Sequence, residues 1–587
     1  LEPGETNDAL ACSLKHVRSL HDHEFEAVSY VWGESPKSHV LHCGGSVIEI
    51  TPNVDRILRR LRHPDRLRRL WIDAICINQD DVAERSRQVR NMQDIYSAAK
   101  QVIIWLGGED INDILAFDSL KRLEAYWKPG NDNWLRMGWY RDRAGKTFSG
   151  GAHMWMPTDI ERLHLVNLLL RDWFRRTWVI QEAASAKRAV VLYGTQSMPW
   201  EAFADLYMRL GEHFLPVTQL GGETARQSLE NITAIENTRR SHTGPLSMSL
   251  FHILVATSFS QCKDPRDKIF AVVGLAKDGV EKKDITLDYT VGEEKVLEAF
   301  KDFAIIDSNR NKDLRTLSCS SGTADSYLPS WVPGWRRIEN SHPFVLYSDR
   351  TKFCASGDMK AVAWHSDDQT TLHVKGKIID RVEVLGRVPT FTQAIAIFEI
   401  TEEKVGQLQR SFEWLLECRN LALDPKGILT ARKKQMLWRT LTCGPSAEDF
   451  PAPQRYAMYF DNYMAFMETA SNYFHECLVE SQTAPTGIRG LDQFIPYFEN
   501  HAIIEASLYQ WSARRRICRT LNGQLACVPK TSEKGDIICV LFGGQVPYVL
   551  RPRNDDCYAV VGECYMDGIM HGESLSDDAV TREFRLR

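Results

Sequence analysis

Over the first two hundred residues the apolar positions switch between short continuous runs and a spacing near 3.6, the pattern of strands and helices in turn. Residues 25–31 (FEAVSYV) read as a buried strand. Residues 40–50 carry two apolar runs around Gly44-Gly45, a hairpin signal. Thr51-Pro52 then opens a helix, Thr51 as cap and Pro52 in its first turn, with an apolar stripe of Val54, Ile57, Leu58 and Leu61. A second buried strand is expected over 68–77. It is followed by an amphipathic helix over 82–99, with Val89, Met92, Ile95, Tyr96 and Ala99 on one face. Residues 101–106 form a third strand, closed by Gly107-Gly108. Helices over 159–170 and 174–186 and a strand over 189–192 continue the rhythm. Strands alternating with helices imply parallel pairing in a three-layer α/β unit.

The stretch 109–160 interrupts this pattern. It is rich in Trp, Gly and Arg (Trp127, Trp134, Trp139, Trp155) and reads as an insertion over one edge. Signals from about 200 to 310 are mainly helical, and 327–335 (YLPSWVPGW) is a Pro/Trp-rich connector. Residues 371–388 and 535–565 show β alternation, with a helical run between them. The expected organisation is an α/β domain over 1–200 and a mainly helical region with connector over 201–345. A β-rich unit over 346–587 follows, with a helical insertion at about 390–515.

Composition narrows the class. A chain of 587 residues with 43% hydrophobic and 25% charged content is an ordinary globular protein of several structural units. Lys+Arg 72 against Asp+Glu 77, a net charge of −5, gives no electrostatic case for nucleic acid or for a membrane surface. No apolar run approaches the roughly 20 residues that span a bilayer. The N-terminus lacks a basic segment followed by an apolar one, so no secretory leader is expected. The 14 cysteines are scattered, without C-x-x-C or zinc-site spacing, which fits small buried thiols in a reduced cytoplasm and predicts neither a metal nor a resident cofactor.

Candidate chemistry lies at the strand exits, where open α/β sheets bind ligands. Asp73, Cys76, Asn78 and Gln79 cluster in LWIDAICINQ. A carboxylate and two amides there can hold ribose hydroxyls or a carboxamide edge; alternatively Asp73 and Asn78 cap the loop and fix its turn. Cys76 has no histidine close in sequence and reads as buried. Ser29, Tyr30, Trp32 and Gly33 end the first strand. Gly33 lets backbone approach a ligand and Trp32 can stack on a base or a nicotinamide ring, or the pair is a packed indole beside a turn glycine. No G-x-G-x-x-G or phosphate-loop motif follows. The seven arginines of 56–69 (RILRRLRHPDRLRR) interleave with apolar residues and read as a solvated face, as does Arg514-Arg515-Arg516.

Several segments together resemble the fungal heterokaryon-incompatibility (HET) domain family: SYVWG at 29–33, LWIDAICINQ at 70–79, ERSRQVRNMQDIYSAA at 84–99, VIIWLG at 102–107 and RDWFRRTWVIQEAA at 171–184. Their order and spacing match over about 20–195. Asp264-Pro265-Arg266-Asp267-Lys268 with IFAVVGLA, SWVP at 330–333 and the closing GDIICVLFGG to GIMHGE resemble the longer C-terminal half of such proteins. The resemblance implies intracellular action in fungal nonself recognition, ending in growth arrest or cell death. HET domains are in turn remotely similar to TIR domains, whose flavodoxin-like parallel sheet can cleave NAD at the nicotinamide–ribose bond. It implies NAD as substrate and Glu182 as the catalytic group, because enzymatic TIR domains also place a glutamate four residues after a helix tryptophan. Here that tryptophan is Trp178, which at i, i+4 shares a helix face with Glu182, so its indole can wall a pocket. The competing reading pairs Glu182 with Arg175, Arg176 or Arg85. Three functions follow for testing: an NAD-cleaving effector, a non-enzymatic module that signals by self-association or a protein partner, and a biosynthetic enzyme acting on a small molecule.

Overall fold

The computed structural model describes residues 1–108, 111–126, 158–213, 217–243, 248–276, 313–320, 328–334, 353–389, 402–444, 454–480, 511–575 and 580–587, except 23 and 34, with a few single positions between. The Trp-rich stretch 127–157 lies outside them. The chain divides into two compact units, Leu1–Glu293 and Glu294–Arg587.

The first unit opens with β1 (Ala11–Cys12), β2 (Glu26–Ser29), β3 (His39–Cys43) and β4 (Ser46–Ile50). Gly44 and Gly45 both take positive φ, 55° and 88°, and make the two-residue turn between β3 and β4. Helix α1 (Pro52–Leu61) starts where expected, with the Thr51 side chain accepting from Val54 N. β5 is only Leu70–Trp71, followed by a single turn of helix, α2 (Asp73–Cys76), and then α3 (Val82–Ala98), capped by Asp81. The expected strand over 68–77 therefore stops early. Ile75 N and Cys76 N both donate to the Ile72 carbonyl (3.0 and 2.8 Å), and Asp73 Oδ1 accepts from Ala74 N (2.7 Å), so the chain coils where the polar residues begin.

Next come β6 (Gln101–Gly107), α4 (Ile111–Tyr126), α5 (Asp159–Leu169), α6 (Trp178–Ala184), β7 (Ala189–Tyr193) and β8 (Gln196–Pro199). The single helix expected over 174–186 is instead a 3-10 turn, Asp172–Arg175, and the separate α6. Gln261 causes the break: its carbonyl accepts from Thr177 N (2.9 Å) and its N–H donates to Arg175 O (2.5 Å), which diverts the backbone from helical bonding. The helices α7 (Trp200–His213), α8 (Val217–Thr243, broken at Gly222), α9 (Leu250–Ala256) and α10 (Asp267–Phe270) complete the described part of this unit.

Strands β2, β5, β6, β7 and β8 form one sheet in the order β5-β2-β6-β7-β8, parallel except for the final β7–β8 hairpin. Counted within the sheet, this is the 2-1-3-4-5 order of doubly wound folds, with the switch point between β2 and β6. Val28, Tyr30, Ile103 and Trp105 point to the α1 side and pack on Val54, Ile57, Leu58 and Leu61. Alternation sends Ser29 to the other face.

The arginines of 56–69 are not simply a solvated face. Arg59 bonds Asp55 and the carbonyls of Thr6 and Asp8, Arg62 bonds Ala9 O (2.9 Å), and Arg60 bonds Gly194 O (2.7 Å). Arg68 grips Glu26 with two nitrogens. They tie the N-terminal segment and a strand turn to α1, using guanidinium donors to satisfy loop carbonyls.

In the second unit Leu372–Leu385 is one long strand. It pairs with Ile537–Leu541 on one side and Arg582–Leu586 on the other. Tyr548–Pro552 and Cys557–Glu563 complete the circuit, so these five strands close a ring. Closure removes sheet edges. Helices Glu402–Ala422, Ala431–Thr442 and Arg455–Glu480 fall within the expected helical insertion. Gly376 faces Leu541 and Arg582 across the two seams, and a Cβ there would lie 2.5 Å from Val540 O. Gly376→Val should therefore cost about 2 kcal/mol or more, read as an earlier denaturant midpoint for the second unit. An unchanged midpoint would mean that the seam has room.

Candidate functional site

The register of the parallel sheet assembles the site. Ala27 lies opposite Trp71 and Ser29 opposite Ile104. β5 ends at Trp71, so Asp73 opens α2 just past the carboxyl end of that strand, beside the end of β2 that carries Ser29. Helix α6 packs over this end and lowers Glu182 onto the sheet face that Ser29 occupies.

Glu182 is 3% exposed. Ser29 Oγ donates to Glu182 Oε2, and the same hydroxyl accepts from Trp173 Nε1 (2.8 Å). None of the arginines suggested as ion-pair partners forms a salt bridge with Glu182 among the described residues. Arg175 pairs with Asp172, Arg85 lies over the Tyr289 ring, and Arg176 Nη1 donates to the Tyr30 carbonyl. Burial pushes the Glu182 carboxyl up to about 7. The Arg176 charge and the Ser29 hydrogen bond pull it back, and the Asp73 charge adds to the rise.

Asp73 is half-buried and accepts from Trp32 Nε1 (2.8 Å). Its acidity is weakened by burial against the opposing pull of the Trp32 indole and Arg176. The Tyr30 hydroxyl faces the Asp73 carboxylate but makes no hydrogen bond of good geometry, and burial with that charge drives its phenol well up. Two carboxyls thus share one arginine, Arg176, so each proton affinity depends on the other's charge.

The remaining predicted residues divide. Gln79 Nε2 donates to Asp73 O (3.0 Å) and steadies the turn. Asn78 is exposed, and its Oδ1 accepts from Asp80 N (3.2 Å), an Asx turn. Burial raises the Cys76 thiol, which leaves it protonated and a poor nucleophile. Gly33 has φ +75° and open space where a Cβ would sit, and Trp32 is 38% exposed beside it. Trp178, one turn before Glu182, sets its indole against the Asp267 carboxyl.

The sequence offers Arg176 only as an ion-pair partner for Glu182, and it does not point to Trp173 or Asn53. Asn53 donates to Val31 O (2.7 Å) and accepts from Trp105 Nε1 (3.1 Å), which holds the β2 exit to β6. Trp173 lies between the helices expected over 159–170 and 174–186, and the 3-10 turn that forms there aims it at Ser29.

Residues 25–182 match the family model "Heterokaryon incompatibility protein (HET)", a span that opens on the strand carrying Ser29 and closes on Glu182. Residues 500–586 match that of the "Het-6 beta-barrel domain", although the strand that closes the ring, Leu372–Leu385, lies outside the matched span. The HET match thus falls within the first unit and the Het-6 barrel match within the second. It is similar to "Heterokaryon incompatibility protein 6, OR allele" of Neurospora crassa, 25% identical over 99% of this chain and 94% of that relative. No solved structure matches the chain. Among the described residues no helix is long and apolar enough to cross a membrane.

Proposed function

We propose that this chain acts in fungal nonself recognition inside the cell, and that its first unit cleaves NAD at the nicotinamide–ribose bond with Glu182 as the catalytic carboxylate. One observation carries this reading: a carboxyl titrating near 7 is held by Ser29 at the carboxyl end of the central strands. The 2-1-3-4-5 strand order and the HET match, with its remote likeness to TIR domains, support it. As the ribose C1′–N bond breaks, its electron pair leaves with nicotinamide. The ribose then carries oxocarbenium-like charge, which ionised Glu182 stabilises until water adds at C1′ and gives up a proton. Trp32 offers an exposed indole for stacking, and Asp73 offers an acceptor to the ribose hydroxyls.

The test is nicotinamide release from NAD by the full chain, at high protein concentration with a crowding agent. Wild type should release nicotinamide and Glu182→Gln should be slower by about 100-fold or more. No release from wild type, or equal release from both, would overturn the reading.

The low exposure of Glu182 favours a second reading, in which the Ser29–Glu182 contact is structural and the unit signals through contacts with a partner or another copy. That reading predicts concentration-dependent assembly with no turnover.

A further inference from the structure

Helix α6, which carries Glu182, has seven residues and is gripped at its start, middle and end by groups from outside itself. At its start, Thr177 N donates to Gln261 O (2.9 Å) and Thr177 Oγ1 meets Ser260 Oγ (2.9 Å). In its middle, the Gln181 amide reaches Ala271 O (3.0 Å) once its oxygen and nitrogen are assigned by their partners. At its end, Arg239 Nη1 donates to Ala183 O (2.5 Å) and Ala186 O (2.9 Å). Three of these four grips come from 258–271, well beyond the matched HET span. That segment is itself braced, because buried Lys268 Nζ donates to Ser258 O (2.8 Å) and to Ser260 O.

Asp267 is the junction of this brace. It is buried, accepts from Tyr289 OH (2.5 Å) and faces the Trp178 indole. Tyr289 is clamped in turn: Arg266 lies 4.9 Å and Arg85 5.3 Å from its ring centroid, and Phe270 meets its ring edge-on. Arg266 is anchored by two nitrogens on Asp264. A carboxylate has acceptor capacity only, so it can receive both the phenol and the indole N–H.

We propose that Asp267 is a positioning residue for Glu182: through Trp178 and Tyr289 it fixes the start of α6 and so the placement of the Glu182 carboxyl against Ser29. This rests on Glu182 being the reaction centre, although the placement itself can be tested without turnover. Asn at 267 keeps the size but removes the charge and one of the two acceptor oxygens, so the Tyr289 hydroxyl has to turn from donor to acceptor and the hold on phenol and indole weakens. The charged and titratable groups around the junction are Asp264, Arg266, Arg85, Tyr289, Lys268 and Cys262; those around Glu182 are Arg176, Asp73, Tyr30 and Tyr96.

The experiment compares full-length wild type, Asp267→Asn and Tyr289→Phe in two assays. In nicotinamide release, kcat should fall about tenfold in Asp267→Asn and less in Tyr289→Phe, with KM within about twofold, because placement and not substrate contact is lost. In denaturant unfolding across pH, the midpoint of the step due to Glu182 should move down from near 7 by about half a unit or more, as water reaches a displaced carboxyl. Adding Glu182→Gln to each of the three proteins isolates that step by difference, free of the Asp267 carboxyl, which burial pushes up to about 6 in wild type. A folded Asp267→Asn protein with an unmoved step and wild-type kcat would overturn the proposal. If wild type releases no nicotinamide, NAD cleavage falls, while a shifted unfolding step still upholds the role of Asp267 and an unshifted one refutes it.

Discussion

Glu182→Gln is expected to stabilise the first unit by roughly 3 kcal/mol at pH 8 while it removes nicotinamide release. The sign follows from the direction of the shift. The folded carboxyl titrates at about 7 and the unfolded one near its ordinary value of 4.5. Between these values the native state binds the extra proton, so this group's contribution to stability is full below the unfolded value and declines as pH rises through about 7. Above that the loss is constant. Glutamine carries no charge to desolvate, and its carbonyl can still accept from Ser29, so it avoids that loss. Urea unfolding near pH 5 should show wild type and variant close together, and near pH 8 the variant should unfold later. Parallel curves at both pH values would mean that burial does not burden Glu182. A group that costs stability where it sits, and whose removal improves the fold, is what a reactive site retains for chemistry.

The second large effect belongs to the barrel. Arg515 and Glu563 are 3% and 2% exposed and pair at 2.7 Å, with Arg515 Nη1 also on Glu563 O (2.8 Å) and its guanidinium 4.2 Å from the Phe344 ring centroid. Glu563 Oε1 accepts from Phe344 N (2.5 Å), while its Oε2 has no hydrogen-bond partner of good geometry among the described residues. Burial alone pushes this carboxyl up to about 7, against the pull of Arg515. Arg515→Ala should cost about 3–5 kcal/mol, because an unpaired buried carboxyl is left behind. The double change Arg515→Met with Glu563→Leu should recover most of that loss, since packed apolar groups replace the pair without desolvating charge. Guanidinium unfolding of the full chain reads both. A double variant no better than the single would mean that the pair stabilises the ring beyond cancelling its own burial.

These two sites differ in how far they were legible. Apolar periodicity places α1, α3 and β6 to within a residue or two, because each buries one face and its pattern is local. The strand over 68–77 was over-read because apolar residues continue past Trp71, whereas Asp73 diverts the backbone through its own carboxylate. The helix over 174–186 broke on Gln261, about eighty residues away, which no window on α6 contains. Ser29 and Glu182 were each singled out by motif, yet their contact spans 153 residues and follows only from the sheet register and the packing of α6. Arg515 was misread as surface charge in a run of three arginines. Strand alternation buries the middle one, and its partner lies 48 residues on.

The most direct test is the pH dependence of nicotinamide release by the full chain from about pH 5.5 to 8.5. Stabilisation by ionised Glu182 predicts a rate that rises about tenfold per pH unit on the acid side, bends near 7 and levels above it. Glu182→Gln should be near background and flat across the range. A profile with no bend near 7, or a glutamine variant that follows wild type, would contradict the assignment of Glu182 as the reaction centre.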